Sequence, residues 1–426
     1  MPPLIRGKTT EPARVRQARL VALAYRVVEA LLFVGITNTP LAYAWGSHGA
    51  ISALLGVKPS GELEAELWLG AHPGSPSRII DPAHAGDAGT LADWIAADPA
   101  AALGPSRAGE PRLPFLLKVL AAASPLSLQA HPTAPQAIAG YAREQAAGIP
   151  LDAPNRNYKD ADPKPEIIYA LEDGFEALCG FRSVASLREV ILRLIELDAA
   201  SPSSPSEALL RWVEQCIDET SLRPVFEWLI SKGPGVRELI ERTVEIARAN
   251  AGEFSTVARL ADAYPGDPGI AISLMLNHVM LGRGEVLFLP AGNIHAYLNG
   301  IGIELMNSSD NVLRGGLTPK YVDVDELLGV LDFTPSPPPY LSGTPVGQSL
   351  TVFTPEGAGF ELLAITGAGV ADHDGPAIVL CERGDFRITG EVSSQSIAAG
   401  ESYFVTADEG SLTFTGEGSL FMAGSA

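Results

Sequence analysis

The sequence predicts a mainly β protein with an α-helical insert, built as two jelly-roll-like β-barrels plus a helical domain. Three observations lead there. Short strand-like runs broken by turn signals fill most of the chain, in keeping with 43 Gly and 34 Pro among 426 residues. Residues 183–270 instead carry apolar residues at helical spacing. Beyond the stiff Pro335-Ser336-Pro337-Pro338-Pro339 linker, residues 345–426 are strand-like again, with turn signals near Gly367, Gly375, Gly384, Gly390, Gly400 and Gly410.

The individual elements follow from local pattern. Residues 13–34 read as a basic amphipathic helix, an appended element rather than a transit peptide, with Arg6, Lys8, Arg14, Arg16, Arg19 and Arg26 set against Glu11 and Glu29 in this region. Residues 64–69 alternate charged or small residues with apolar ones and stop at Gly70, as a strand does. Leu91–Ala97 reads as a helix, and Leu113–Leu120 as an apolar run interrupted only by Lys118. Residues 127–131 form a short alternating strand ended by Pro132. Ser204-Pro205-Ser206-Glu207 is a capping box opening a helix to about Cys216, and Val236–Ala249 and Phe254–Ala263 also have helical spacing. The implied organisation is an extension at 1–35, helical or poorly ordered; a first barrel unit at 36–182 and 271–334; a helical insert at 183–270; and a C-terminal barrel at 335–426 that shows no His/Glu ligand set and reads as metal-free.

Composition narrows the function. A 46% hydrophobic content excludes a disordered chain, and three widely spaced cysteines exclude a disulfide scaffold and fit a reducing cytoplasm. A net charge of −20 leaves no large basic surface for nucleic acid, and no uninterrupted apolar segment is long enough for a membrane span. An anionic substrate would need a local basic pocket against this overall field.

Three segments carry chemistry. Gly284, Pro290, Gly292, His295 and Asn299 have the spacing of two antiparallel strands joined by a tight Pro-x-Gly turn that presents one imidazole. This spacing resembles the second motif of the cupin superfamily, a double-sheet barrel that often holds a metal. In Gln129-Ala130-His131-Pro132, Gln129 and His131 face one side of a strand and can chelate together. In Lys164-Pro165-Glu166, a carboxylate opens a buried apolar run, where it must be paired or bind a metal. Gln129, His131, Glu166 and His295 together offer two imidazole nitrogens and two oxygens, a set that suits Zn²⁺ and leaves the site about one unit positive. Ligand type does not separate Zn²⁺ from Co²⁺, Mn²⁺ or Ni²⁺. His48, His72, His84, His278 and His373 lack partners at ligand spacing and read as structural.

Residues 43–47, 65–70, 127–132, 164–166, 289–299 and 311–320, in that order, resemble type I mannose-6-phosphate isomerases, and the resemblance spans roughly residues 36–426. It implies a cytoplasmic, zinc-dependent aldose–ketose isomerase of the cupin superfamily, with two cupin domains and one zinc per chain. Such an enzyme interconverts mannose 6-phosphate and fructose 6-phosphate in mannose metabolism, as a monomer or weak dimer. The family's zinc ligands match Gln129, His131, Glu166 and His295; its other active-site positions match Trp45, Glu66, Lys118, Ser127, Lys164, Glu304, Arg314 and Lys320. The chain departs from the family at Asp162-Pro163, where Asn-His is usual, and at Thr133-Ala134, where Asp-Lys is usual.

Moving a proton between C2 and C1 of an open-chain sugar requires a base, stabilisation of an enediolate and an anion clamp. Glu304 is the first candidate base, with a metal-bound hydroxide second; a salt bridge to Arg314 or Lys164 is its structural alternative. Lys164 joins it among the catalytic candidates. Arg314, before Gly315-Gly316, is assigned to charge stabilisation, and Lys320, Lys118 and Ser127 to phosphate binding. Trp45 walls the sugar pocket, and Glu66 is a further substrate contact. Two rivals remain: an isomerase for another aldose, and a non-catalytic cupin that senses metal and sugar. The glutamine ligand speaks against a two-His, one-carboxylate dioxygenase.

Overall fold

The computed structural model describes residues 33–426 except 108, 110–111, 200–203 and 373–374. The helix expected over 13–34 lies outside the described residues up to residue 32, as does His373, while Phe33 and Val34 begin a strand rather than end a helix.

Eleven strands make up the first two-thirds of the described chain: β1 (Phe33–Thr37), β2 (Glu66–Leu69), β3 (Arg78–Ile79), β4 (Phe115–Ala122), β5 (Gln129–Ala130), β6 (Glu166–Ala170), β7 (Phe175–Phe181), β8 (Leu276–Leu281), β9 (Val286–Leu289), β10 (His295–Asn307) and β11 (Leu313–Arg314). Nine of these form one antiparallel sheet in which β10 is the spine. The path runs β11-β5-β10-β4-β2, with β6 and β7 also paired to β10, β9 to β6 and β8 to β7. The remaining strands are β12 (Thr344–Val346), β13 (Leu350–Phe353), β14 (Phe360–Ile365), β15 (Gly369–Ala371), β16 (Ala377–Thr389), β17 (Ser394–Ala398), β18 (Ser402–Val405) and β19 (Leu412–Ser425). They form a second sheet that β1 and β3 extend, through β1 on β18. The mainly β architecture with helices is therefore present, but both hydrogen-bonded ladders are open paths and neither closes into a barrel.

The two sheets share a core. Leu67, Leu117 and Ile303 of the first pack in one apolar cluster with Phe360, Phe404 and Phe421 of the second. At the edge, Arg283 pairs with Glu382 at 2.6 Å.

Between β7 and β8 the chain is helical, and the periodic segments stand where apolar spacing places them. Leu91–Ala97 and Val236–Ala249 match the sequence pattern end to end. The helix Glu207–Gln215 is capped by Ser206, whose hydroxyl accepts from Leu209 N–H, and not by Ser204. The segment expected over 254–263 begins earlier, at Ala251, and kinks at Phe254. These helices bury Leu187, Trp212, Phe226 and Leu239 in one cluster with Leu128, Ala130, Ile294 and Leu313. The helical layer thus backs β5 and β11. Among the described residues no helix is long and apolar enough to cross a membrane.

A buried carboxylate ties this layer to the sheet. Glu176 on β7 accepts from Thr256 and from His278, each at 2.8 Å, and from Arg259. Burial alone would raise its pKa; the bonds from His278, Arg259 and Thr256 hold it at about 2. Because the folded value lies below the ordinary 4.5, its stabilisation is complete above 4.5 and is lost as pH falls toward 2. Glu176→Gln is expected to lower stability at neutral pH and flatten the acid-unfolding profile across that window, followed by circular dichroism. An unchanged profile removes the clamp as a source of acid sensitivity.

Candidate active site

The strand β10 positions both halves of the site. Its first residue, His295, pairs with Gln129 of β5 and Cys179 of β7, and Gln129 pairs in turn with Arg314 of β11. Farther along, Glu304 lies across from Lys118 of β4 and Ile168 of β6, and Met306 across from Glu166. The Pro290-Ala291-Gly292 turn sets the start of the strand. Gly292 has φ 80° and donates its N–H to the His131 carbonyl at 2.8 Å. A side chain there would be strained by that backbone conformation, and its Cβ would press within 3.2 Å of the Val330 carbonyl.

His131, Glu166 and His295 converge. Each is about 1% exposed, and one ligand atom from each lies within 4.8 Å of the others. His131 Nδ1 lies 2.7 Å from the Asn311 carbonyl and His295 Nδ1 3.0 Å from the Asn293 carbonyl. A carbonyl only accepts, so both rings carry their proton on Nδ1 and turn a bare Nε2 inward. Those two Nε2 atoms and Glu166 Oε2 are buried without hydrogen-bond partners. Three orphaned, desolvated lone-pair atoms at this spacing are costly unless a cation completes them, so the residues fit a divalent metal with nitrogen and oxygen preference.

The protonation states agree with that role. Burial lowers the His131 imidazole to about 4 against the opposing pull of Glu166, leaving it neutral. Burial would raise the Glu166 carboxyl, but the Lys164 ammonium, 2.9 Å from Oε1, holds it well below the usual carboxylate range. Gln129 enters by register, directly across from His295.

A second cluster adjoins the first. Lys118 Nζ lies 2.8 Å from Glu304 Oε2 and 3.8 Å from Glu66 Oε1, and 5.1 Å from the centre of the Trp68 ring. Trp68 Nε1 donates to Glu66 Oε2 at 2.8 Å. The salt-bridge partner of Glu304 is therefore Lys118, not Arg314 or Lys164. Burial raises the Glu304 carboxyl, with Lys118 opposing and the Glu166 and Glu66 charges adding to the rise. Tyr297, two residues after His295 on the strand, is buried, with a hydroxyl that has no hydrogen-bond partner among the described residues. Its alternation with His295 was the available sequence signal.

A third group lines a cavity of about 440 Å³ that includes Lys159, Asp310, Arg314, Lys320 and Tyr321. Among the described residues Lys159, Arg314 and Lys320 make no salt bridge. Burial lowers Arg314, and burial followed by the charges of Arg314 and Lys159 lowers Lys320. Three cations that make no salt bridge, in a chain of net charge −20, suit an anion, and Asp152 and Asp310 line the same cavity. Lys118 does not line this cavity. Lys159 carried no motif in the sequence.

Three further residues, His72, Trp45 and Ser127, are buried or half-buried. His72, read as structural, is buried with Nε2 3.6 Å from Asp310 on the cavity wall. Its Nδ1 accepts from Gly74 N–H at 3.1 Å, so its proton points toward Asp310. Trp45 is half-buried against the cluster of Leu120, Ala122 and Leu126, and Ser127 is half-buried two residues before Gln129, its hydroxyl making no hydrogen bond among the described residues.

Comparison with known proteins places this geometry. Residues 34–184 match the family model for the type I phosphomannose isomerase catalytic domain. Mannose-6-phosphate isomerase of Escherichia coli is 37% identical over 395 residues, covering 90% of this chain and 97% of that protein. The chain belongs to the mannose-6-phosphate isomerase family. The family's isomerase 1 from Arabidopsis thaliana is 32% identical, over 86% of this chain and 87% of that protein. A crystal structure of mannose 6-phosphate isomerase bound with zinc and yttrium superposes with a TM-score of 0.80 at 32% identity, covering 92% of this chain and 99% of that one. Against the usual pattern of mannose-6-phosphate isomerases, Thr133 here serves as the N-cap of the helix Ala134–Ala146, in a capping box with Gln136. Asp162 faces Arg112 at 3.6 Å on the surface.

Glu166→Gln keeps the shape but removes the one anionic donor of the triad. It is expected to weaken Co²⁺ binding at least about tenfold in a chelator competition, in line with the cost of disturbing a ligand shell. Unaltered affinity would show that the triad does not hold the metal.

Proposed function

We propose that this chain is a zinc-dependent isomerase that interconverts D-mannose 6-phosphate and D-fructose 6-phosphate through an enediolate. The observation that carries this reading is the lateral row His295–Gln129–Arg314 across β10, β5 and β11. It sets a metal-ligand cluster beside a cavity with three cations that make no salt bridge, as a substrate with a reacting carbonyl at one end and a phosphate at the other requires. The zinc-bound family structure supports the choice of metal.

His131, Glu166 and His295, with Gln129, would hold the zinc, which supplies positive charge against the negative charge developing on O1 and O2. Glu304 accepts the proton from C2 and returns it to C1, while a second proton passes from O2 to O1. Atoms and electrons balance without an external oxidant. Its raised pKa makes Glu304 a stronger base than an ordinary carboxylate, and Lys118 holds it in place. Arg314 stabilises negative charge next to the ligand row, and Lys320 with Lys159 binds the phosphate at the cavity mouth. Trp45, Glu66 and Ser127 complete the sugar pocket, and Lys164 keeps Glu166 ionised.

A coupled assay for fructose 6-phosphate is expected to lose activity on chelation and regain it with zinc. No activity in a folded, zinc-loaded chain would shift the reading to another aldose. Glu304→Gln should retain metal and lower kcat about 100-fold or more, the usual worth of a positioned base; near-normal kcat removes it from that role. Lys320→Ala should raise KM for mannose 6-phosphate with little effect on kcat, and an unchanged KM counts against phosphate binding there.

A further inference from the structure

Asn311, in the turn between β10 and β11, is fully buried and uses every polar atom it has. Its carbonyl accepts from His131 Nδ1 at 2.7 Å. Its Oδ1 accepts from the backbone N–H groups of Lys159 at 2.7 Å and Asp160 at 3.2 Å. Its Nδ2 donates to the carbonyls of Asp160 at 3.0 Å and Asp162 at 2.9 Å, and to Asp160 Oδ1 at 3.0 Å. Its own N–H reaches Ser309 Oγ at 3.3 Å. Amide donors on one side and carbonyl acceptors on the other allow only one orientation of the side chain. Aspartate has the shape but no N–H to give, and alanine has neither group.

The partners of this one residue belong to different parts of the site. His131 is a ligand of the metal cluster. The segment it clamps, residues 159–162, starts at Lys159 in the cationic cavity and runs on to Lys164, which pairs with Glu166. Ser309 braces the same segment, donating to Asp160 Oδ1 at 2.8 Å, but no hydrogen bond joins it to His131.

We propose that Asn311 is a positioning residue that couples the metal end of the site to the anion end. Its carbonyl sets the tautomer and orientation of His131, and its side chain sets the backbone that carries Lys159. A cation that orders His131 therefore orders the 159–162 segment, and by linkage an anion held at Lys159 favours the metal-binding arrangement in return. The identity of the anion as a sugar phosphate rests on the function proposed above; the coupling itself does not.

The test uses the full chain and its Asn311→Asp, Asn311→Ala and Ser309→Ala variants. Zinc affinity is measured by chelator competition, KM with mannose 6-phosphate, and amide hydrogen exchange at residues 159–160 with and without zinc. Asn311→Asp and Asn311→Ala keep the backbone carbonyl that faces His131 but lose side-chain bonds that anchor it; they are expected to weaken zinc binding about tenfold or more, the scale for disturbing the partner of a metal-ligating histidine, and to raise KM together with it. Ser309→Ala is expected to raise KM alone. In the unaltered chain zinc should slow exchange at Lys159 and Asp160, and in Asn311→Asp it should not. The proposal is overturned if only one constant moves in the Asn311 variants, if Ser309→Ala weakens zinc as much, or if zinc leaves exchange at residues 159–160 unchanged. Should the Asn311 variants not fold, the exchange comparison in the unaltered chain decides. Should the unaltered chain prove inactive on mannose 6-phosphate, the function fails separately, and zinc affinity and exchange still decide the coupling.

Discussion

The burial of Glu166 between the imidazoles of His131 and His295 is the constraint to which the rest of the site answers. A lone carboxylate in a protein interior is expensive, and the orphaned Nε2 atoms of His131 and His295 add unmet polar capacity at the same spot. A cation resolves all three at once. The surrounding structure supplies what such an arrangement needs beforehand: backbone carbonyls that fix both tautomers, a lysine that keeps the carboxylate charged, and packed elements behind each ligand. Those elements are far apart in the chain, which makes the cluster a product of the sheet and not of any one segment.

β10 solves the geometric half of the problem. Because it pairs with β7 over its first residues and with β4 and β6 over its last, one strand delivers a candidate metal ligand at its start and a buried base candidate nine positions on. The Gly292 turn ties its entry to the His131 backbone. The helical layer fills the space behind β5 and β11 with packed side chains, so Gln129 and Arg314 stand on a supported edge. The second sheet shares a core with the first and adds a structural partner without a ligand role in the cluster.

Charge is distributed with the same economy. Lys118 and Lys164 are buried and committed, each to carboxylates within 4 Å, and they tune Glu304 and Glu166. Arg314, Lys320 and Lys159 are uncommitted and share one cavity. Cations of one type thus serve two purposes, and burial with or without a partner is what separates them. The pairing of Lys118 with Glu304 was not legible from sequence, because the two lie 186 residues apart along the chain.

The sequence by itself determined the features that depend on neighbours along the chain. Apolar spacing marked Leu91–Ala97 and Val236–Ala249, alternation marked Gln129 and His131, and the Pro-x-Gly turn marked His295. Donor chemistry joined Gln129, His131, Glu166 and His295 into one set, and the likeness to known isomerases then matched them to zinc ligands. Tertiary structure alone decided what depends on contacts across the sheet: that β1 joins the C-terminal sheet, that the ladders stay open, that Lys118 clamps Glu304, that Lys159 lines the cavity, that His72 faces Asp310 and that the Asn311 carbonyl meets His131. Period and turn chemistry are written in consecutive residues, whereas desolvation and pairing are set by groups that only folding brings within a few ångströms of one another.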